Sequence, residues 1–406
     1  MMLDTAWVRA QFPAFQQPSL NGQAFFENAG GSYTCRQVID RLHRFYTERK
    51  VPPYAAYAAS RLGGDEMDEA RSRLAAMLGV ATPELSFGPS TTQNTYVLAQ
   101  AVRRWLKPGQ SIIVTNQDHE ANSGPWRRLA EEGVSVREWR IDPQTGALNI
   151  NDLAAILDDD VALVCFPHCS NVVGEINDVA AITRLAHAAG ARVCVDGVSY
   201  APHGFPDIGA LNCDVYLFSA YKTFGPHQGI MVIRAGFGME LPNQGHHFNG
   251  GTLYKRFTPA GPDHAQIAAS AGMADYLEAL SVYHGGPAAG PEAARTAHDL
   301  MRAHEVALLQ PLLDYVSARN SMRLIGPADA RRRAPTVALA LQSDAATTAA
   351  ALAAQGIMAG GGDFYAQRPL AAMGVDLGRG VLRLSFVHYT SQAEVDALMM
   401  ALDQVV

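Results

Sequence analysis

From about residue 65 to residue 235 the chain alternates short, wholly apolar runs with segments of helical period, a pattern that few folds satisfy. The runs "SIIVTN" (111–116), "VALVCFP" (161–167), "ARVCVDG" (191–197), "CDVYLFS" (213–219) and "GIMVIR" (229–234) are too short for helices. They are apolar at consecutive positions, as strands buried on both faces are. "ELSFGPS" reads as a further strand entering a turn. Helical patterns lie between the strands: "DEMDEARSRLAAMLG" (65–79), "TTQNTYVLAQAVRRWL" (91–106) and "NDVAAITRLAHAAG" (177–190). This alternation predicts an α/β fold with a mostly parallel sheet covered by helices. A loop rich in Gly, His and Pro follows at about 235–265, then two long helical patterns at 265–282 and 291–318. Beyond about 320, "TVALAL" (336–341) and "VLRLSFV" (381–387) flank an alanine-rich helix, which predicts a smaller α+β domain.

A chain of 406 residues exceeds one ordinary core and predicts two or three domains. With 48% hydrophobic and 17% charged residues it reads as a soluble globular protein. A net charge of −7 and the lack of a basic run argue against a nucleic-acid surface. Five cysteines (Cys35, Cys165, Cys169, Cys194, Cys213), with no CxxC pair, read as reduced thiols and suggest neither a disulfide framework nor a metal site. The opening "MMLDTAWVRAQFPAF" has no secretory pattern, and the apolar stretch 344–362 is broken by Gln355 and Gly356. The expectation is a cytoplasmic protein without a membrane partner.

Polar residues collect where the strands end, which is where open α/β sheets bind ligands. In "GPSTTQNT", Ser90, Thr91 and Thr92 open a helix whose free N–H groups suit a phosphate; a plain N-cap is the commoner use of that pattern. Asp196 in "VCVDGVSYAPHG" ends an apolar strand, and a buried carboxylate there calls for a cation such as a protonated pyridine nitrogen. The alternative is a turn aspartate before Gly197. His119 in "QDHEAN" could stack on a cofactor ring or simply be solvated, and Asn171 in "PHCSNVVGEIND" could donate to a phenolate or a carboxylate, or form an Asx turn. Lys222, in "FSAYKTFGP", sits among small, aromatic and hydroxyl residues. It could be a surface lysine or an amine kept reactive by desolvation, carrying a carbonyl cofactor as a Schiff base. Taken in order, phosphate cup, ring residue, Asn, buried Asp and then Lys suit a single bound group. The helix end would hold its phosphate, the Asp its protonated ring nitrogen and the Lys its carbonyl carbon.

With these motifs in place the chain resembles the class V aminotransferases, pyridoxal-phosphate enzymes of fold type I, and within them the cysteine desulfurase-like group. The likeness runs from "FFENAGGS" (25–32) to "VLRLSFVHYTSQAEVDAL" (381–398). It implies pyridoxal 5'-phosphate as cofactor, a seven-stranded-type sheet in a large cofactor-binding domain (25–285), a small C-terminal domain (286–406), and an N-terminal segment (1–24) packed with the latter. It implies a homodimer acting on a small amino acid, with Lys222 as the Schiff-base lysine, Asp196 at the pyridinium and His119 stacked on the ring. Ser90, Thr91, Thr92, Ser219 and Tyr221 would meet the phosphate, Ser199 the ring hydroxyl, and Asn171 ring or substrate. Arg383 would clamp a substrate carboxylate, a task suited to a guanidinium, with an ordinary ion pair at the strand end as its alternative; Asn28 and Tyr365 would complete the substrate site.

Departures from the pattern bear on the reaction. The mobile loop that carries a sulfur-accepting cysteine in desulfurases corresponds to "AGGGDFYAQRPL" (359–370), with Tyr365 where that cysteine would fall, and no cysteine follows Cys213. A phenol does not attack sulfur as a thiolate does. Ser199 stands where the family has Gln, Tyr221 where it has His, and Gly261 where it has a phosphate-contacting Thr. The resemblance to the desulfurase-like branch implies β-elimination at a C–S bond, and these departures imply that no loop cysteine carries the sulfur. Transamination, epimerisation and a cofactor-binding scaffold without turnover are the alternatives.

Overall fold

The structure is a computed structural model and describes residues 2–259 and 261–406. A two-residue strand, β1 (Ala24–Phe25), lies apart from the central sheet. That sheet holds β2 (Leu85–Gly88), β3 (Ser111–Thr115), β4 (Ser135–Trp139), β5 (Val161–Pro167), β6 (Arg192–Asp196), β7 (Val215–Ser219) and β8 (Gly229–Ile233). Their order is β2-β8-β7-β6-β5-β3-β4. Five neighbours, β4, β3, β5, β6 and β7, run parallel, and β8 is antiparallel to both β7 and β2. Two reversals restore the original direction, so β2 ends at the same edge of the sheet as the parallel five. The expected α/β fold with a mostly parallel sheet is the fold of this chain.

Strands β5, β7 and β8 are buried along their whole length, which is why they read as unbroken apolar runs. Strand β4, "SVREW", escaped the sequence reading for the opposite reason. It is the sheet's edge, Ser135 is exposed, and Arg137 and Glu138 turn to ion pairs with Asp158 and Arg127. The helical pattern expected at 265–282 is two abutting helices, His264–Ala269 and Ala271–Tyr283. They break at Ser270, whose hydroxyl donates to the Gln266 carbonyl and to Gln228.

The C-terminal part forms a four-stranded antiparallel sheet from β9 (Met322–Leu324), β10 (Thr336–Leu341), β12 (Gly360–Gly362) and β13 (Val381–Ser385), in the order β12-β13-β10-β9. The short β11 (Ile357–Met358) pairs in parallel with β1, so Ala24 and Phe26 join the small core. Helix Gly290–Ser317 serves both cores. Ala294, Ala297, Leu300 and Met301 pack in the large one and Leu308, Leu309, Leu312, Leu313 and Val316 in the small one. The boundary expected at 286 falls just before this helix, which bridges the two cores. The segment 1–24, expected against the small domain, sets Val8 and Phe12 in the large core, stacks Trp7 on Tyr283 and reaches the last helix through the Arg9–Glu394 ion pair. No helix among the described residues is long and apolar enough to cross a membrane.

Candidate active site

The ends of β2, β3, β5, β6 and β7 converge on a cavity of about 620 Å³, closed on its other side by the small sheet. Register sets β5 and β6 level, because Pro167 pairs with Asp196 at their tips, and β7 runs two residues past Leu217, the partner of Asp196, to end at Ser219.

Lys222 sits in the single turn after β7. The turn is tied at several points: Ser32 donates from N to the Tyr221 carbonyl and from Oγ to the Lys222 carbonyl, while Thr223 Oγ1 donates to Ala220. The next residue but one, Phe224, holds a φ of 67°, a left-handed conformation that a phenylalanine adopts only under constraint. The amine is buried in the cavity wall, and desolvation, with Arg383 nearby, pulls its pKa down to about 8; Asp196 and Glu27 oppose the fall. At pH 7 roughly a tenth of such an amine is neutral and nucleophilic.

Asp196 closes β6 and accepts a hydrogen bond from the Val198 N–H at 2.8 Å. Burial raises its pKa to about 6, the Val198 bond and the Lys222 charge notwithstanding. A neighbouring carboxyl, Asp118, is pushed up in the same sense by burial and by the charge of Asp196, and its Oδ1 has no partner. His119 caps the helix Glu120–Arg127 by accepting from the Ala121 N–H through Nδ1. Burial, then Lys222 and Arg383, drop its pKa to about 3, so the ring is neutral at ordinary pH. Neutral imidazole is the form suited to lie flat on an aromatic ring.

At the other end of the cavity, helix Thr91–Trp105 points its N-terminus inward. Thr91 and Ser219 face each other with hydroxyls 2.8 Å apart, and Thr92 and Tyr221 line the same corner. The close approach of β8 depends on Gly229, where a Cβ would collide with the Ser90 carbonyl carbon. Ser90 itself does not line the cavity; its Oγ caps the helix by accepting from the Gln93 N–H. The sequence expectation for Ser90 is corrected accordingly, since capping geometry turns the hydroxyl back onto its own helix. Replacing Ser90 with alanine is expected to cost about 1 kcal/mol of stability in denaturant melts while leaving cofactor affinity in a titration unchanged.

The small unit contributes the opposite wall. Phe364 and Tyr365 both hold left-handed backbone, with φ of 53° and 56°, and Tyr365 is 73% exposed at the rim. Its carbonyl accepts from the Glu120 N–H, and its ring lies 5.5 Å from that of His119. Asn171 donates Nδ2 to the Phe364 carbonyl at 2.9 Å, so the amide expected to donate to a ring or substrate is engaged with this loop and its Oδ1 is the orphan. Arg383 reaches the cavity from β13 but is paired with Glu27, a residue the sequence reading passed over. Asn28 is not in the cavity wall. It donates to the Phe25 and Ser385 carbonyls and accepts from the Tyr389 hydroxyl, so its expected contact with substrate is replaced by a tie between segments. Ser199 lines the cavity beside Val198.

The residues fit pyridoxal phosphate. A helix N-terminus with facing hydroxyls offers donors to an anion, the amine of Lys222 to a carbonyl carbon, and the Asp196 carboxylate to a cationic ring nitrogen. The unpartnered Asp118 and Asn171 oxygens mark buried polar positions that the protein alone does not satisfy. Among the described residues no cluster of three metal-ligating side chains occurs.

Comparison with known proteins agrees with this geometry. The sequence model of the family described as aminotransferase class-V matches residues 24–398. The aminotransferase-like protein FGM3 of Gibberella zeae is 31% identical over 411 residues, covering 98% of this chain and 97% of that protein. A cysteine desulfurase of Dickeya dadantii is 30% identical over 418 residues, covering 98% and 96%. Among solved structures, the apo cysteine desulfurase from Thermococcus onnurineus superposes with a TM-score of 0.86 at 22% identity over 100% of this chain and 98% of that one. The cysteine desulfurase CsdA from Escherichia coli gives 0.82 at 23% identity over 100% and 99%.

Proposed function

Because this chain belongs to the class-V aminotransferase family, and is thus a pyridoxal-phosphate-dependent enzyme, we propose that it acts on an amino acid by removing its Cα proton and expelling a β-substituent, most directly at a C–S bond. The observation that carries this reading is the pairing of a buried, pKa-lowered Lys222 with a buried Asp196 across one cavity. Pyridoxal phosphate supplies, when bound, a carbonyl carbon that condenses with amines and a ring that takes up the electron pair released at Cα. Lys222 Nζ is the amine that would hold the cofactor at rest and, when not so engaged, would take the Cα proton. Asp196 would keep the ring nitrogen charged. Thr91, Thr92, Ser219 and Tyr221 would hold the phosphate, and His119, neutral, would face the ring.

Support for elimination without a persulfide relay comes from the rim. Tyr365 occupies the exposed tip of the loop, and the five cysteines are all buried. Cys169 alone of them lines the cavity, but burial lifts its thiol to about 12 and its Sγ is turned to the Gly174 carbonyl. The exposed Tyr365 phenol beside His119 favours a second reading, in which a proton is delivered and no β-substituent leaves, with epimerisation as the outcome where the proton returns to Cα and transamination where it does not. The family also supports a homodimer.

A panel of amino acids with and without β-sulfur substituents separates these outcomes. Pyruvate with ammonia signals elimination, a keto acid with an aminated cofactor signals transamination, and solvent-deuterium exchange with inversion signals epimerisation. Steady failure across the panel by the loaded protein would leave a scaffold. Tyr365→Phe is expected to lower turnover by about tenfold or more if the phenol carries the proton; unchanged turnover would reduce Tyr365 to a packing residue.

A further inference from the structure

Arg383 lines the cavity with both of its Nη atoms directed at protein acceptors. Its Nη2 donates to Glu27 Oε1 at 2.5 Å, and Nη1 is directed to the Asn171 carbonyl at 3.4 Å. The Nε is buried without a partner, and the Phe364 ring covers the guanidinium at 3.8 Å from its centroid. A carboxylate entering the cavity therefore meets the guanidinium where Glu27 already is. The position of Glu27 is built into the fold. Its backbone is bridged to Ser385, on the strand that carries Arg383, and its head fits against two glycines. A Cβ on Gly30 would come to 3.1 Å from Oε1, and one on Gly360 to 2.5 Å from Oε2. That second oxygen is buried and has no hydrogen-bond partner, so Arg383 is what compensates the charge.

We propose that Glu27 is a specificity-determining residue, an internal counter-ion that a substrate carboxylate must displace from Arg383. It favours substrates that bring a cationic or hydrogen-bond-donating side chain to Glu27 in exchange. The proposal rests on the amino-acid reading given above. Its physical basis is the cost of a buried charge left alone. A ligand with only a carboxylate takes Arg383 and strands Glu27, whereas a ligand that also carries a donor replaces one ion pair with two. Burial of Arg383, which lowers its pKa against the pull of Glu27, makes that exchange a desolvated one.

Calorimetric titration of the cofactor-loaded protein with propionate, which has a carboxylate alone, and with 4-guanidinobutanoate, which has both groups and no reactive amine, tests the idea. Glu27→Gln is expected to bind propionate roughly tenfold more tightly than the natural chain and to lose its preference for 4-guanidinobutanoate. Equal propionate affinity in the two proteins would overturn the proposal. Weaker binding by the variant would also overturn it, since Glu27 would then only orient Arg383. Glu27→Ala repeats the comparison if the glutamine packs poorly, with a thermal melt to confirm folding. Absence of turnover on every amino acid would overturn the substrate reading while leaving the propionate comparison intact.

Discussion

Lys222→Ala is expected to lower turnover by about 10³-fold or more and to leave a protein from which dialysis removes the cofactor. In the natural chain, borohydride followed by peptide mass spectrometry should fix a pyridoxyl group on the peptide containing Lys222; the variant should show none. The turn around Lys222 is tied by backbone and by Ser32, so the loss is chemical and not a collapse of the loop. The same substitution has a signature in stability. Burial lowers this amine from 10.5 to about 8, so the folded state disfavours its charge. The penalty is complete below about pH 8, where folded and unfolded chains are both protonated, and is lifted as pH rises from about 8 towards 10.5. Cofactor-free protein should therefore gain stability across that window, and Lys222→Ala should lose that gain. A variant that still retained cofactor after reduction would place the reactive amine elsewhere.

Asp196→Ala is expected to reduce turnover by about 10²-fold or more while the cofactor stays attached to Lys222. Asp196→Asn, which keeps the shape, should be nearly as slow, because what is lost is the charge opposite the ring nitrogen. Stability should move the other way. With its pKa raised from 3.8 to about 6, the carboxyl favours folding least once it is ionised, and that cost grows as pH rises from about 4 to about 6. Cofactor-free Asp196→Asn should therefore melt above the natural protein near pH 7, and the cofactor should stabilise the natural protein more than the variant. A variant with full turnover would remove Asp196 from the ring.

The central sheet was legible because burial on both faces leaves an unbroken apolar run in the sequence, as in "VALVCFP" and "CDVYLFS". Edge strands were not, since β4 carries Arg137 and Glu138, and β12 is three glycines whose pairing with β13 has no side-chain signature, whereas the inner strands β10 and β13 showed as "TVALAL" and "VLRLSFV". Lys222, Asp196, His119 and Thr91, which line the cavity, stood out in the sequence because each follows a strand that could itself be read. Ser90 misled because a cap and a phosphate donor share one local pattern, and only the direction of Oγ separates them. Glu27 was passed over for a different reason. Its partner Arg383 is 356 residues away, and a lone acid after a two-residue strand announces nothing on its own.

The central sheet carries Thr91, Asp196, Ser219 and Lys222, whereas Glu27, Phe364 and Arg383 belong to the smaller sheet and its neighbours. On the proposed reading, cofactor capture and substrate choice fall to separate surfaces. On that reading, substitutions around β12 and β13 would change what the site accepts and leave the residues of the central sheet that would hold its reagent in place.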